Sequence, residues 1–187
     1  YNTLDTINWK AIENEQYEIS EMVGALADIL RYAVRNAGAR TTVRQEISWL
    51  EQYILLQSAR LGKNLELQMD ISNEAWNCRI HKLLMQPFVE NAIKHGLYRK
   101  EGDCILKISM NMADQLLHIL IEDNGKGIGE GLLKQLNDKN TVMGEHLGIA
   151  NVRKRLQLYY SGDAGLYFES IEGQYTRVHL FIPAEEV

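Results

Sequence analysis

Three short segments hold residue types at spacings that suit phosphate and nucleotide chemistry. The first runs from Ile119 to Ile128 and reads ILIEDNGKGI. Its apolar stretch stops at Asp123-Asn124-Gly125-Lys126-Gly127. A carboxylate at the end of a buried strand can accept a hydrogen bond from an exocyclic amine such as that of adenine. Gly125 and Gly127 let the backbone turn tightly and approach a planar ring, and Ile128 closes the segment. The same residues would also make a plain Asp-Asn-Gly turn.

The second segment, PFVENAIKHG, spans Pro87 to Gly96. The neutral amide oxygen of Asn91 can ligate Mg²⁺, with phosphate oxygens and waters completing the shell. Lys94 and His95, three and four residues on, fall near the same helix face and would meet phosphates. Glu90 would order a metal-bound water or hold Lys94. The other reading is a solvated helix edge with ordinary capping at His95-Gly96. The third segment, GEHLGIANVRKRL, spans Gly144 to Leu156. Gly144 and Gly148 bracket Glu145-His146-Leu147, and free N–H groups at a helix start attract phosphate. Asn151, Arg153, Lys154 and Arg155 add polar and basic groups. The polar stretch from Asn137 to Glu145 suits a lid that orders around a triphosphate. A loop with surface charges is the alternative.

These segments need elements to position them. Residues 1–61 carry helical periodicity. Leu4, Ile7, Ala11, Ile19, Met22, Val23, Leu26, Ile29, Leu30 and Ala33 form one stripe, which predicts a long helix. Gly38 is its expected cap. Thr42-Val43-Arg44-Gln45 reads as a capping box, and Val43, Ile47, Leu50, Ile54 and Leu61 form a second stripe ending at Gly62. Two such helices make an antiparallel hairpin. Its stripes are covered either by a second hairpin, giving a dimeric four-helix bundle, or by the rest of the chain.

From Asn64 the period changes to two. Strands are expected at 65–71, 105–112, 116–122, 165–170 and 176–182, and helices at 81–99, 129–137 and 147–160. Pro87 either kinks the first of these helices or marks a boundary inside it. The order gives an α+β chain: a helical hairpin over residues 1–62, then an α/β sandwich over 63–187 with helices on one face of a mixed sheet. His118 and His179 read as solvent-facing sheet positions, His81 as structural, and Trp9, Trp49 and Trp76 as packing residues.

The 187 residues are 45% hydrophobic, enough for a real core, and a net charge of −5 gives no case for nucleic acid. Cys78 and Cys104 are far apart and form no metal-ligand pattern. No apolar run approaches the roughly 18 residues of a membrane helix. The first residues are already in helical phase, which reads as a piece of a longer protein.

Taken together the three segments resemble the asparagine box and two glycine boxes of the gyrase, heat-shock-90, histidine-kinase and MutL (GHKL) superfamily. YNTLDTINW, QPFVENAIKHG and GQYTRVHLFIP extend the resemblance over the whole chain, toward sensor histidine kinases of the LytS/YesM type. The resemblance implies a bacterial, membrane-anchored homodimer whose cytoplasmic part pairs a dimerisation and phosphoacceptor hairpin with a GHKL (Bergerat) ATP-binding domain. It implies ATP and Mg²⁺ as ligands, and a response-regulator receiver domain as the partner whose aspartate takes the phosphoryl group. Thr176 corresponds to the threonine of the terminal segment. The acceptor histidine of such a family stands three residues before Tyr1, so Asn2 falls one helical turn after it and would orient the imidazole; Asp5 has weaker geometric support. Three positions depart from the family pattern. Pro87 stands where relatives carry an acid or amide, His146 where a glycine is expected, and Tyr175 where a glycine is usual. A GHKL ATPase, an anti-sigma-type serine kinase and a nucleotide-binding pseudokinase acting as an interaction module are the competing readings.

Overall fold

A polar interruption divides the N-terminal stripe. The computed structural model describes residues 2–34, 40–138, 147–160 and 164–185. It begins with α1 (Asn2–Glu13) and α2 (Tyr17–Val34) instead of the single long helix expected. Between Ala11 and Ile19 the stripe has no apolar member at helical spacing, and Glu13 to Gln16 are polar. Glu15 takes a left-handed φ of 56°. Its N–H donates to Ile12 O (3.0 Å) and that of Gln16 to Ala11 O (2.8 Å), the paired bonds that end a helix. Ser20 Oγ then donates to Asn8 Oδ1 at 2.5 Å. Twelve residues of continuous helix would hold those two groups about 18 Å apart, so α1 doubles back on α2. The expected Gly38 cap lies outside the described residues.

The capping box forms as read. After β1 (Arg40–Thr42), α3 (Val43–Leu61) starts with Gln45 N–H donating to Thr42 Oγ1 and Thr42 N–H to Gln45 Oε1, both at 3.3 Å. Gly62 ends it at φ 59°. The two stripes have different fates. Val43, Ile47, Leu50 and Ile54 of α3 are buried in one core with Leu84, Phe88 and Val89, each worth about 1.5–3 kcal/mol when fully buried. On α1 and α2, Ile7, Trp9, Ile12, Ile19, Leu26, Leu30 and Val34 stay exposed. The rest of the chain therefore covers the second stripe; of the first, Ala11 is buried and Ile29 packs against the core, while Ile7, Ile19, Leu26 and Leu30 are left open. Trp9, expected in packing, is 67% exposed, whereas Trp49 is buried and stacks on Tyr53.

The sandwich follows the expected order with added short pieces. It comprises β2 (Leu65–Ile71), β3 (Arg79–His81), α4 (Gln86–Asn91), β4 (Cys104–Ala113), β5 (Leu116–Asp123), α5 (Glu130–Asn137), α6 (Leu147–Tyr160), β6 (Gly165–Ile171) and β7 (Tyr175–Pro183). The sheet order is β2-β4-β5-β7-β6. β2 and β4 run parallel and the other neighbours antiparallel. Burial alternates strictly along β5, as it must when only one face meets the helices. Asp114 and Gln115, the two residues of the hairpin turn, both take positive φ.

The helix expected over 81–99 is shorter. His81 belongs to β3, which pairs with β1. Leu83 turns the chain at φ 57°, and the helix starts at Gln86. Pro87 lies in its first turn, where no N–H is needed, so it marks a boundary and not a kink. After Asn91 the helix widens into a π-helical turn over Ala92–Leu97.

Candidate nucleotide site

Asp123 ends β5 with its side chain on the helix-covered face, continuing Ile119 and Ile121. It is 4% exposed. Burial pushes its carboxyl up to about 7; the Gly125 N–H, donating to Oδ1 at 2.9 Å, works against this and Glu122 adds to it. Thr176 is its direct partner across β5 and β7. Paired residues of antiparallel strands share a face, so the hydroxyl and carboxyl stand side by side. Ser170 extends the group: its Oγ lies 3.4 Å from Thr176 Oγ1 and accepts the Ile128 N–H at 2.8 Å. Tyr175, the departure next to Thr176, points to the other face. Its hydroxyl donates to Glu169 at 2.7 Å and the Arg177 guanidinium covers its ring, so it leaves the Asp123 side open.

The glycines are required by contact as well as by turn. A Cβ on Gly125 would lie 2.4 Å from the Gly96 carbonyl carbon, and one on Gly96 would lie 2.3 Å from Asp123 Oδ1. Gly127 has φ 67°, and a Cβ there would strike Ile171 O at 2.2 Å. Gly96 O accepts the Lys126 N–H and Lys126 O accepts the Gly173 N–H. Asn124 fastens the turn to β4: its Oδ1 accepts from Ile105 N–H at 2.9 Å and its Nδ2 donates to Asp103 O at 3.0 Å. Sequence reading missed Gly96, Asn124 and Ser170. A glycine inside a helical pattern was the available signal for Gly96; Asn124 and Ser170 act through partners distant in sequence.

Asn91 is half-buried at the junction of α4 with the π-helical turn. Such bulges recur at functional sites, and the wider turn alters which following residues share the Asn91 face. Glu90 holds its neighbours: Gln86 Nε2 donates to Oε1 at 2.7 Å, and Lys94 Nζ lies 3.5 Å from Oε2. Lys94 and His95 are exposed and, with Gly96, Arg99, Lys100, Gly125, Lys126 and Gly173, wall a cavity of about 570 Å³. Asp123 lies directly behind the Gly96 and Gly125 backbones. A larger cavity of about 680 Å³ opens between α2, α3 and Lys82, but no residue singled out for phosphate or nucleotide chemistry lines it.

The remaining candidates scatter. Gly144 and His146 lie outside the described residues; Leu147 and Gly148 open α6. Asn151 is exposed on that helix. Arg153 and Arg155, two of the basic groups of which not all are expected to face a ligand, are engaged in packing: Arg153 Nη2 donates to Leu136 O, and Arg155 Nη2 to Lys82 O at 3.1 Å. Asn2 is exposed on the first turn of α1 and is not on the cavity wall. Among the described residues no cluster of three or more His, Cys, Asp or Glu side chains is disposed to hold a metal ion. A cation at Asn91 would therefore draw most of its oxygens from phosphates and water, as Mg²⁺ commonly does. The neutral amide of Asn91 fits that arrangement, although Asn91 itself does not line the cavity that Lys94 and His95 wall.

Comparison with known proteins shows the family and the fold. The pattern described as "Histidine kinase" matches residues 1–65, and that described as "Histidine kinase-, DNA gyrase B-, and HSP90-like ATPase" matches residues 79–186. The chain is similar to the sensor histidine kinase YesM of Bacillus subtilis, 33% identical over 183 residues, covering 98% of this chain and 31% of that protein. It is similar also to the sensor protein kinase HptS of Staphylococcus aureus, 30% identical over 186 residues, covering 98% of this chain and 35% of that protein. The chain thus spans about a third of the length of these relatives. Among solved structures, the histidine kinase AdeS of Acinetobacter baumannii superposes with a TM-score of 0.56 at 16% identity, over 95% of this chain and 84% of that one. That likeness speaks for the fold alone.

Proposed function

The chain belongs to the sensor histidine kinases, with a histidine kinase-, DNA gyrase B-, and HSP90-like ATPase domain as its second part, and from that premise we propose that it moves the γ-phosphoryl group of ATP to a histidine. The observation that carries this is the cross-strand pair of buried Asp123 and half-buried Thr176, backed by Gly96 and Gly125, beside a largely basic cavity. Residues 1–62 are read as the dimerisation and phosphotransfer part and 63–187 as the catalytic part.

Asp123 accepts from the adenine amine, with Thr176 beside it and Ile128 against the ring. Asn91 contributes its amide oxygen to Mg²⁺, which when bound neutralises phosphate charge. Lys94 and His95 meet the phosphates, joined by the segment from Gly144 through Gly148 and by Asn151. Glu90 keeps Lys94 in place. The acceptor imidazole stands just before Tyr1, with Asn2 orienting it. Its neutral nitrogen attacks phosphorus in line; the P–N bond forms as the bond to ADP breaks, and the proton on the other ring nitrogen leaves. Positioning and charge stabilisation supply most of the catalysis in such transfers. A receiver-domain aspartate then takes the group. The open stripe on α1 and α2 supports a homodimer. No helix among the described residues is long and apolar enough to cross a membrane; we place this part on the cytoplasmic side of a membrane-anchored protein.

Calorimetric titration with an ATP analogue and Mg²⁺ tests the site. The wild-type chain binds with metal-dependent affinity and Asn91→Ala loses that dependence. Equal metal dependence in both excludes the Asn91 role.

A further inference from the structure

Glu46 is a fully buried carboxylate on the inner face of α3, at 0% exposure. Nothing in the nucleotide site uses it. Its Oε2 accepts two hydrogen bonds from different elements, Tyr32 Oη of α2 at 2.6 Å and Leu83 N–H at 3.0 Å. Burial raises its pKa, while Tyr32 and the N–H groups of Leu83, Met85 and Leu84 favour the charged form. Oε1 makes no hydrogen bond of ordinary geometry. Tyr32 is held a second time from the same turn: Lys82 Nζ donates to Tyr32 O at 3.0 Å and lies 4.4 Å from the centre of its ring.

Leu83 sits in the left-handed region at φ 57°, a conformation that a branched apolar residue keeps only when its surroundings hold it. Eight residues on is Asn91. Leu84, Met85, Phe88 and Val89 between them are all buried in the core, so the segment is packed as one body from Leu83 to Asn91. At its other end the arrangement reaches α2, whose outer apolar stripe is open.

We propose that Tyr32, Glu46 and the Lys82–Leu83 turn form a joint that couples the position of α2 to the placement of the Asn91 helix, with Tyr32 and Glu46 carrying the coupling and not the binding itself. The coupling is reciprocal by thermodynamic necessity: nucleotide bound at the sandwich alters the stability of α2 around Tyr32. The proposal rests on the nucleotide reading above only in needing a ligand at that site.

The test is amide hydrogen exchange on the 187-residue chain, with and without an unhydrolysable ATP analogue and Mg²⁺. In wild type the analogue changes exchange of the α2 amides near Tyr32 by about threefold or more. Tyr32→Phe binds the analogue within about twofold of wild type yet loses that change, since only the coupling term has gone. Glu46→Gln, which keeps an acceptor oxygen, retains it. A chain that binds the analogue with α2 exchange unmoved overturns the joint alone, as does a change that persists in Tyr32→Phe. A chain that binds no analogue overturns the nucleotide reading and the joint with it.

Discussion

Gly96 lies against Asp123 so closely that a Cβ on the glycine would stand 2.3 Å from the carboxylate Oδ1. The helix carrying Asn91 and the strand end carrying Asp123 meet with only a hydrogen atom between them. Gly96→Ala is therefore expected to push Asp123 aside. Overpacking of this kind costs about 1–3 kcal/mol, and ATP-analogue affinity should fall tenfold or more, about 1.4 kcal/mol. Gly24→Ala is the control. A Cβ there meets nothing within 4 Å in the interior of α2, so the change should stabilise by up to ~1 kcal/mol. Denaturant unfolding and calorimetry read both.

Burial raises the Asp123 carboxyl from 3.8 to about 7. For a raised acid, the folded state is favoured fully below the unfolded pKa, and that advantage is lost as pH rises through the folded pKa. The free chain should thus lose stability from this group between pH 3.8 and about 7, by no more than ~4 kcal/mol. Asp123→Asn should remove that slope. Ligand binding should run the other way, because the ionised carboxylate is the better acceptor for an amine. Affinity for the ATP analogue is expected to rise with pH up to about 7 in wild type, and Asp123→Asn should lose the part of that rise due to this carboxyl. Thermal melts and titrations across the range check both.

The open stripe on α1 and α2 predicts association. Leu26 is 38% and Leu30 41% exposed, one turn apart on α2. Sedimentation should show a dimer of the wild-type chain, and Leu26→Glu with Leu30→Glu should weaken it by at least about 100-fold, since unpaired charge in an apolar interface is costly.

Glu15 holds φ 56° at the reversal between α1 and α2. Glycine takes that conformation without strain. Glu15→Gly should stabilise the chain by roughly 0.5–1 kcal/mol in denaturant unfolding. A loss of stability would mean that the reversal is not the conformation adopted in solution.

Much of the architecture could be read from local pattern. Thr42 with Gln45 announced α3, and the alternation along β4 and β5 announced the hairpin that ends in Asp123. These signals are short-range, and the chain obeys them. The reversal at 14–16 was hidden because the residues on both sides of it are apolar at helical spacing. The late start of α4 was hidden because residues 81–85 carry the helical pattern, and a left-handed leucine has no sequence signature. Gly96, Asn124 and Ser170 matter through partners far along the chain. Glu46 stands in the first turn of α3, where acids are common; only the packing of α3 on Leu83 makes it a buried group. The segment around Gly144 and His146 falls outside the described residues.

The central claim is phosphoryl transfer to a histidine that precedes Tyr1. The chain extended upstream through that histidine, incubated with γ-labelled ATP and Mg²⁺, tests it most directly. The account predicts labelled protein whose phosphate is acid-labile and base-stable, as a P–N bond requires, and loss of label in Asn91→Ala. An extended chain that binds ATP and gains no label would contradict it.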